Sequence, residues 1–143
     1  MGGTVELEIP PRPDWFALVR RVVAATASLA PELPDRRVDD LRLAVSEACA
    51  NAVDGQRAVG STLPILVRVE VDDDSVAVTI IDHGGGFDPA EVDPLPAADD
   101  PTRLRHERGL GLPLMRDLAD AVRFSRTGDG TAVELRVTRP PDR

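Results

Sequence analysis

The chain has 143 residues, 42% of them apolar, and a formal charge of -8, which describes one domain, 1–143, able to bury a real core rather than a disordered chain. The acidic balance excludes a non-specific nucleic-acid binder, which needs a basic footprint, and suits a partner that carries basic residues. Cys49 is the sole cysteine, so no intrachain disulfide or cysteine-based zinc site is expected; no apolar run approaches the ~18 residues of a membrane span, and no signal-peptide pattern opens the chain, so a cytoplasmic protein is the default.

Val5, Leu7 and Ile9 alternate with Glu6 and Glu8, the pattern of a half-buried strand. "PPRP" stops it, and Asp14 is placed to cap the helix that follows. Leu18, Val19, Val22, Val23, Thr26 and Leu29 give that helix one apolar face. "APELPD" breaks the chain, and Pro34 or Asp35 opens a second helix with Val38, Leu41, Val45, Ala48 and Ala52 inward. Asp54-Gly55 is expected to end it, glycine taking its usual C-terminal place.

Two alternating runs follow, Ile65 to Val71 and Val76 to Ile80, joined by "DDDS"; they read as a hairpin with one face on a core. The stretch from Asp88 to Arg108 is rich in Pro, Asp and Ala and has weak periodicity, a loop longer than compact domains usually keep without a functional reason. Helical spacing returns through Leu112, Met115, Leu118 and Ala119. Val122 and Phe124 begin a strand, "TGDGT" turns it, and Val133, Leu135 and Val137 complete a second hairpin. The order β-α-α-β-β-loop-α-β-β predicts an α+β, two-layer α/β sandwich: a mixed, mostly antiparallel sheet covered on one face by helices.

Three segments carry chemistry. In "SEACAN", Glu47 and Asn51 are four apart and share a helix face, with small alanines around them. An amide oxygen is a hard ligand suited to Mg²⁺, and a carboxylate beside it can orient a hydroxyl. In "IIDHGGGFDP", Asp82 ends a strand and can accept a hydrogen bond from an exocyclic amine, while Gly84 and Gly86 allow backbone to approach a flat ring or a phosphate. In "RGLGL", Gly109 and Gly111 precede a helix whose free N–H groups face an anion, and Arg103, Arg105 and Arg108 lie just upstream. Each signal alone is common; together, in this order, they are not.

With these residues in place, the chain resembles the Bergerat-fold ATP-binding superfamily of gyrase, histidine kinases and MutL, and most of all its small anti-sigma-factor serine/threonine kinases of the RsbW and SpoIIAB type. "LRLAVSEACANAV" matches the N-box, "DHGGGFDP" the first glycine box, "RGLGLPLMRDLAD" the second, and "GTAVELRV" the last strand. The resemblance implies Asn51 as the Mg²⁺ ligand at ATP and Glu47 as catalytic base toward a protein serine or threonine. It implies Asp82 at the adenine amine with Gly84 and Gly86 shaping that pocket. Residues 89–108 would form an ATP lid, and Arg105, Arg108, Gly109, Leu110 and Gly111 would lie at the phosphates, with ADP as product. The implied partners are a sigma factor, an anti-anti-sigma protein of the STAS type and a second copy of the chain, with no nucleic acid and no membrane.

The chain departs from the family pattern at Gly55, where many relatives carry His, Asn or Lys. That departure motivates an alternative: a nucleotide-binding module that sequesters a partner without kinase activity. A third reading is a detached histidine-kinase ATPase domain. His83 and His106 read as solvated residues, Cys49 as a small core residue, and Asp72 to Asp74 as a solvated turn.

Overall fold

The computed structural model describes residues 2–85 and 111–140. Their elements are β1 (Gly3–Ile9), α1 (Phe16–Ala27), α2 (Asp35–Val59), β2 (Ile65–Val71), β3 (Ser75–Ile81), α3 (Gly111–Leu118), β4 (Ala121–Arg126) and β5 (Thr131–Thr138). The five strands form one sheet in the order β1-β2-β3-β5-β4, and every pairing is antiparallel. Two helices between β1 and β2 bring the chain back to the end of β1, so β2 starts beside Ile9 and runs back against β1. β5 enters between β3 and β4, which brings the end of β3 beside the β4–β5 turn.

Alternation decides the layers. Ile65, Val67 and Val69 of β2, Val76, Val78 and Ile80 of β3, and Val133, Leu135 and Val137 of β5 are buried under the helices. Val19 and Val23 of α1, Leu41, Ala44, Val45, Ala48, Cys49 and Ala52 of α2, and Met115 of α3 close the same core. The other sheet face is polar. There Ala77 and Thr79 of the central strand are buried, flanked in register by the longer Arg68, Glu70, Glu134 and Arg136. No helix among the described residues is long and apolar enough to cross a membrane.

Several local expectations are corrected. Asp14 does not cap α1; a 3-10 turn, Pro13–Trp15, precedes the helix, and Asp14 instead holds Arg12 at 2.7 Å. Leu18 is 45% exposed, because α1 meets the core through Val19, Val23, Thr26 and Ala27, and Leu29, 70% exposed, lies in the turn beyond the end of α1. The largest correction is in α2. Gly55 does not end it; the helix runs on to Val59, and Gly60, at φ 70°, is the left-handed cap.

Arg37 fixes the start of α2 to the end of α3. Its guanidinium donates to the Leu118 carbonyl at 3.1 Å and pairs with Asp40 at 2.7 Å and Asp120 at 3.0 Å. Asp120 in turn accepts the backbone N–H of Thr138 at 2.7 Å. The two ends of the helical layer are therefore pinned to the last strand.

Candidate functional site

Glu47 and Asn51 are half-buried on α2, four residues apart and therefore on one row of the helix. The next residue of that row is Gly55, which lies against the loop after β3. An added β-carbon on Gly84 would stand 2.7 Å from the Gly55 carbonyl carbon and 3.0 Å from the Gln56 nitrogen. The missing side chain of Gly84 lets loop and helix touch, and the row bearing Glu47 and Asn51 ends at that contact.

Asp82 sits at the head of this loop, only 8% exposed. Its Oδ1 accepts the Gly84 N–H at 2.9 Å, and its own N–H donates to the Thr131 carbonyl at 2.9 Å. Burial pushes its carboxyl above the ordinary aspartate range, although hydrogen bonds to the carboxylate from the Gly84 and Thr131 backbone pull the other way. The β4–β5 turn braces the loop from the far side. Gly85, at φ 82°, donates its N–H to the Asp129 carbonyl at 2.8 Å. His83, expected to be solvated, is partly buried and holds the Asp129 carboxylate at 3.0 Å through Nδ1. Gly130 must be a glycine: a β-carbon there would fall 1.8 Å from the Asp82 carbonyl oxygen.

Thr131 was not singled out by sequence reasoning. It is 2% exposed, and its hydroxyl has no hydrogen-bond partner among the described residues. Its pairing with Asp82 is set by β3 and β5, strands far apart in sequence, so the only advance signal was a threonine opening the last strand. An unpaired buried hydroxyl beside a buried carboxylate is costly unless a ligand completes it.

α3 begins at Gly111, which opens the helix rather than preceding it. Gly86, Arg103, Arg105, Arg108, Gly109, Leu110 and the segment 89–108 lie outside the described residues, as does His106. Cys49 is a buried core residue whose thiol burial pushes up to about 12, so it is no nucleophile.

These residues fit an adenine nucleotide. The Asp82 carboxylate accepts from the Gly84 and Thr131 backbone and keeps lone-pair capacity beyond those two bonds, and the Thr131 hydroxyl offers a second polar atom. No group of three or more acidic, His or Cys side chains able to hold a metal occurs among the described residues. A lone amide such as Asn51 suits a magnesium ion that takes its remaining ligands from phosphates and water. A groove of about 470 Å³ lined by Pro10, Arg12, Val53, Arg57 and Thr62 contains none of these residues and opens on another side of α2.

Residues 9–137 match the family described as histidine kinase-like ATPase domain. The serine-protein kinase RsbW of Bacillus pumilus is 34% identical over 126 residues, 82% of this chain and 75% of that protein. The anti-sigma F factor of Pasteuria penetrans is 34% identical over 137 residues, 92% of this chain and 87% of that protein. The crystal structure of the RsbU and RsbW domains of Rv1364c from Mycobacterium tuberculosis is similar with a TM-score of 0.66 at 18% identity, covering 95% of this chain and 32% of that one. That likeness is one of fold, and this chain spans about a third of that longer protein.

Proposed function

We propose a function from one premise: this chain belongs to the histidine kinase-like ATPase domain family, in the branch of the RsbW serine-protein kinases. The reading is a protein serine/threonine kinase that uses ATP, sequesters a sigma factor and phosphorylates an anti-anti-sigma protein of the STAS type. The observation that supports it best is the row Glu47, Asn51, Gly55 on α2, which ends against the loop headed by Asp82.

In this reading Asp82 accepts a hydrogen bond from the adenine amine, and the Thr131 hydroxyl completes the polar edge of that pocket. Asn51 would hold Mg²⁺ through its amide oxygen, and the ion would neutralise phosphate charge as it moves. Glu47 takes the proton of the incoming serine or threonine hydroxyl. As it does so, the new O–P bond forms, the bond from the γ-phosphorus to the bridging oxygen breaks, and ADP leaves. The first turn of α3 at Gly111 contributes N–H groups to phosphate oxygens. Gly86, Arg105, Arg108, Gly109 and Leu110 are assigned to the same pocket, with 89–108 as its lid.

The exposed Trp15, Leu18 and Leu29 offer apolar surface for a protein partner. A homodimer belongs to the same reading and is checked by sedimentation. The alternative of a non-catalytic module rests on the missing side chain at Gly55, which the continuation of α2 to Val59 does not restore; phosphate transfer to a protein substrate separates the two readings.

The test is transfer of labelled γ-phosphate from Mg-ATP to a STAS-domain protein. Glu47→Ala should slow it by about a hundredfold or more while leaving ATP affinity near the wild-type value. Absence of transfer to any STAS protein, or transfer undiminished in Glu47→Ala, would remove the kinase assignment.

A further inference from the structure

Gln56 is fully buried in α2, a costly place for a primary amide unless both its ends are used. Both are. Its Nε2 donates to the Leu63 carbonyl at 2.8 Å, and its Oε1 accepts the backbone N–H of His83 at 2.9 Å. The partners themselves dictate which end of the amide faces which: one is a carbonyl, the other an N–H.

The His83 nitrogen is bonded directly to the Asp82 carbonyl carbon. Clamping that N–H therefore clamps the peptide that carries the Asp82 side chain. Beside the clamp, Gly84 rests on Gly55, and on the far side Gly130 rests on the Asp82 carbonyl. The loop is held between helix and turn, but among the described residues only Gln56 supplies a directed side-chain bond from α2, two residues after Asp54 and five after Asn51. Its other bond runs to Leu63, just before β2, so α2, the loop and the sheet share one reference point.

We propose that Gln56 is a positioning residue for base recognition: it registers the Asp82 carboxylate to the helix that bears Glu47 and Asn51. The inference rests on the reading above that Asp82 meets an adenine amine. Gln56 touches no substrate in this scheme; it acts through the His83 peptide.

The experiment compares binding of ATP and of inosine triphosphate, whose base has a carbonyl where adenine has its amine, by calorimetry on the full chain. A hydrogen bond to an ionised carboxylate makes the wild type prefer ATP by roughly tenfold or more. Gln56→Met keeps the volume and loses both bonds. The expected result is that this preference falls several-fold in Gln56→Met while affinity for inosine triphosphate changes little. A merely structural role would weaken both nucleotides alike and leave their ratio intact, and that outcome in a folded variant overturns the proposal. A wild type that binds both equally overturns the role of Asp82 and the inference with it. Should Gln56→Met fail to fold, amide exchange of His83 in the wild type decides. Protection in the free protein that rises with ATP and not with inosine triphosphate supports the clamp; an unprotected or unresponsive amide overturns it.

Discussion

Gly84 and Gly55 meet backbone to backbone, yet the two glycines are not equivalent. A β-carbon on Gly84 would intrude to 2.7 Å on the helix, whereas one on Gly55 would reach Gly84 at 3.8 Å, an ordinary contact. The glycine that the loop requires is Gly84; the one in the helix is tolerated.

Opposite outcomes follow for the two alanine variants. Gly55→Ala, inside α2, should stabilise the protein by up to about 1 kcal/mol, the usual gain from replacing a mid-helix glycine. In thermal melts that is a rise of about 2–5 °C. Gly84→Ala must push the loop away from α2, so ATP affinity measured by calorimetry should drop about tenfold or more, with a smaller loss of stability.

Gly130→Ala tests the other wall. Its β-carbon would overlap the Asp82 carbonyl, so the β4–β5 turn must separate from the loop. Urea unfolding should show a loss of about 3 kcal/mol or more, in the range reserved for forced backbone clashes. A change under about 1 kcal/mol would mean that the turn does not brace Asp82 as described.

Asp82 sets stability against function. Burial disfavours its ionised form, so its pKa in the folded protein lies above the unfolded one. The ionised carboxylate therefore costs stability at neutral pH, and the cost is relieved as pH falls through the raised folded value. Asp82→Asn should be more stable than wild type in urea at pH 7, with the gap closing in acid, and should lose ATP binding. Equal stabilities across that range would contradict the assigned direction.

Asp120 has the opposite sign. Burial would raise its pKa, but the Thr138 N–H and Arg37 outweigh that and hold it below the ordinary value. Its stabilising contribution is complete above the unfolded aspartate pKa near ~3.9 and is lost as pH falls through the lower folded value. Asp120→Asn should be less stable than wild type at pH 7, and the two should converge in chemical unfolding curves as pH falls below the unfolded aspartate value and through the lower folded one.

Thr131→Val replaces a buried hydroxyl that has no partner among the described residues with a methyl of like size. The free protein should gain stability or hold it, since an unpaired buried hydroxyl costs about 1–3 kcal/mol. ATP binding should weaken. A variant that loses stability and keeps affinity would show that the hydroxyl serves the fold.

The amino-acid order by itself determined the strands, the three helices and the sheet-on-helix layering. These follow from periods of two and 3.6 residues, which each segment carries within itself. It also determined that Glu47 and Asn51 share a face, because four residues make about one turn wherever the helix lies. Tertiary structure decided the rest. A glycine at position 55 has the same local signature whether it ends a helix or sits inside one; only Gly60, in the left-handed region past the last turn, shows which. Thr131 stands beside Asp82 because β5 enters between β3 and β4, a pairing between distant segments that no local period encodes. Gln56 reads as one more polar residue on a helix until the fold surrounds it with an N–H on one side and a carbonyl on the other. Periodicity is a property of neighbours along the chain; the completion of a buried polar group depends on what arrives from elsewhere.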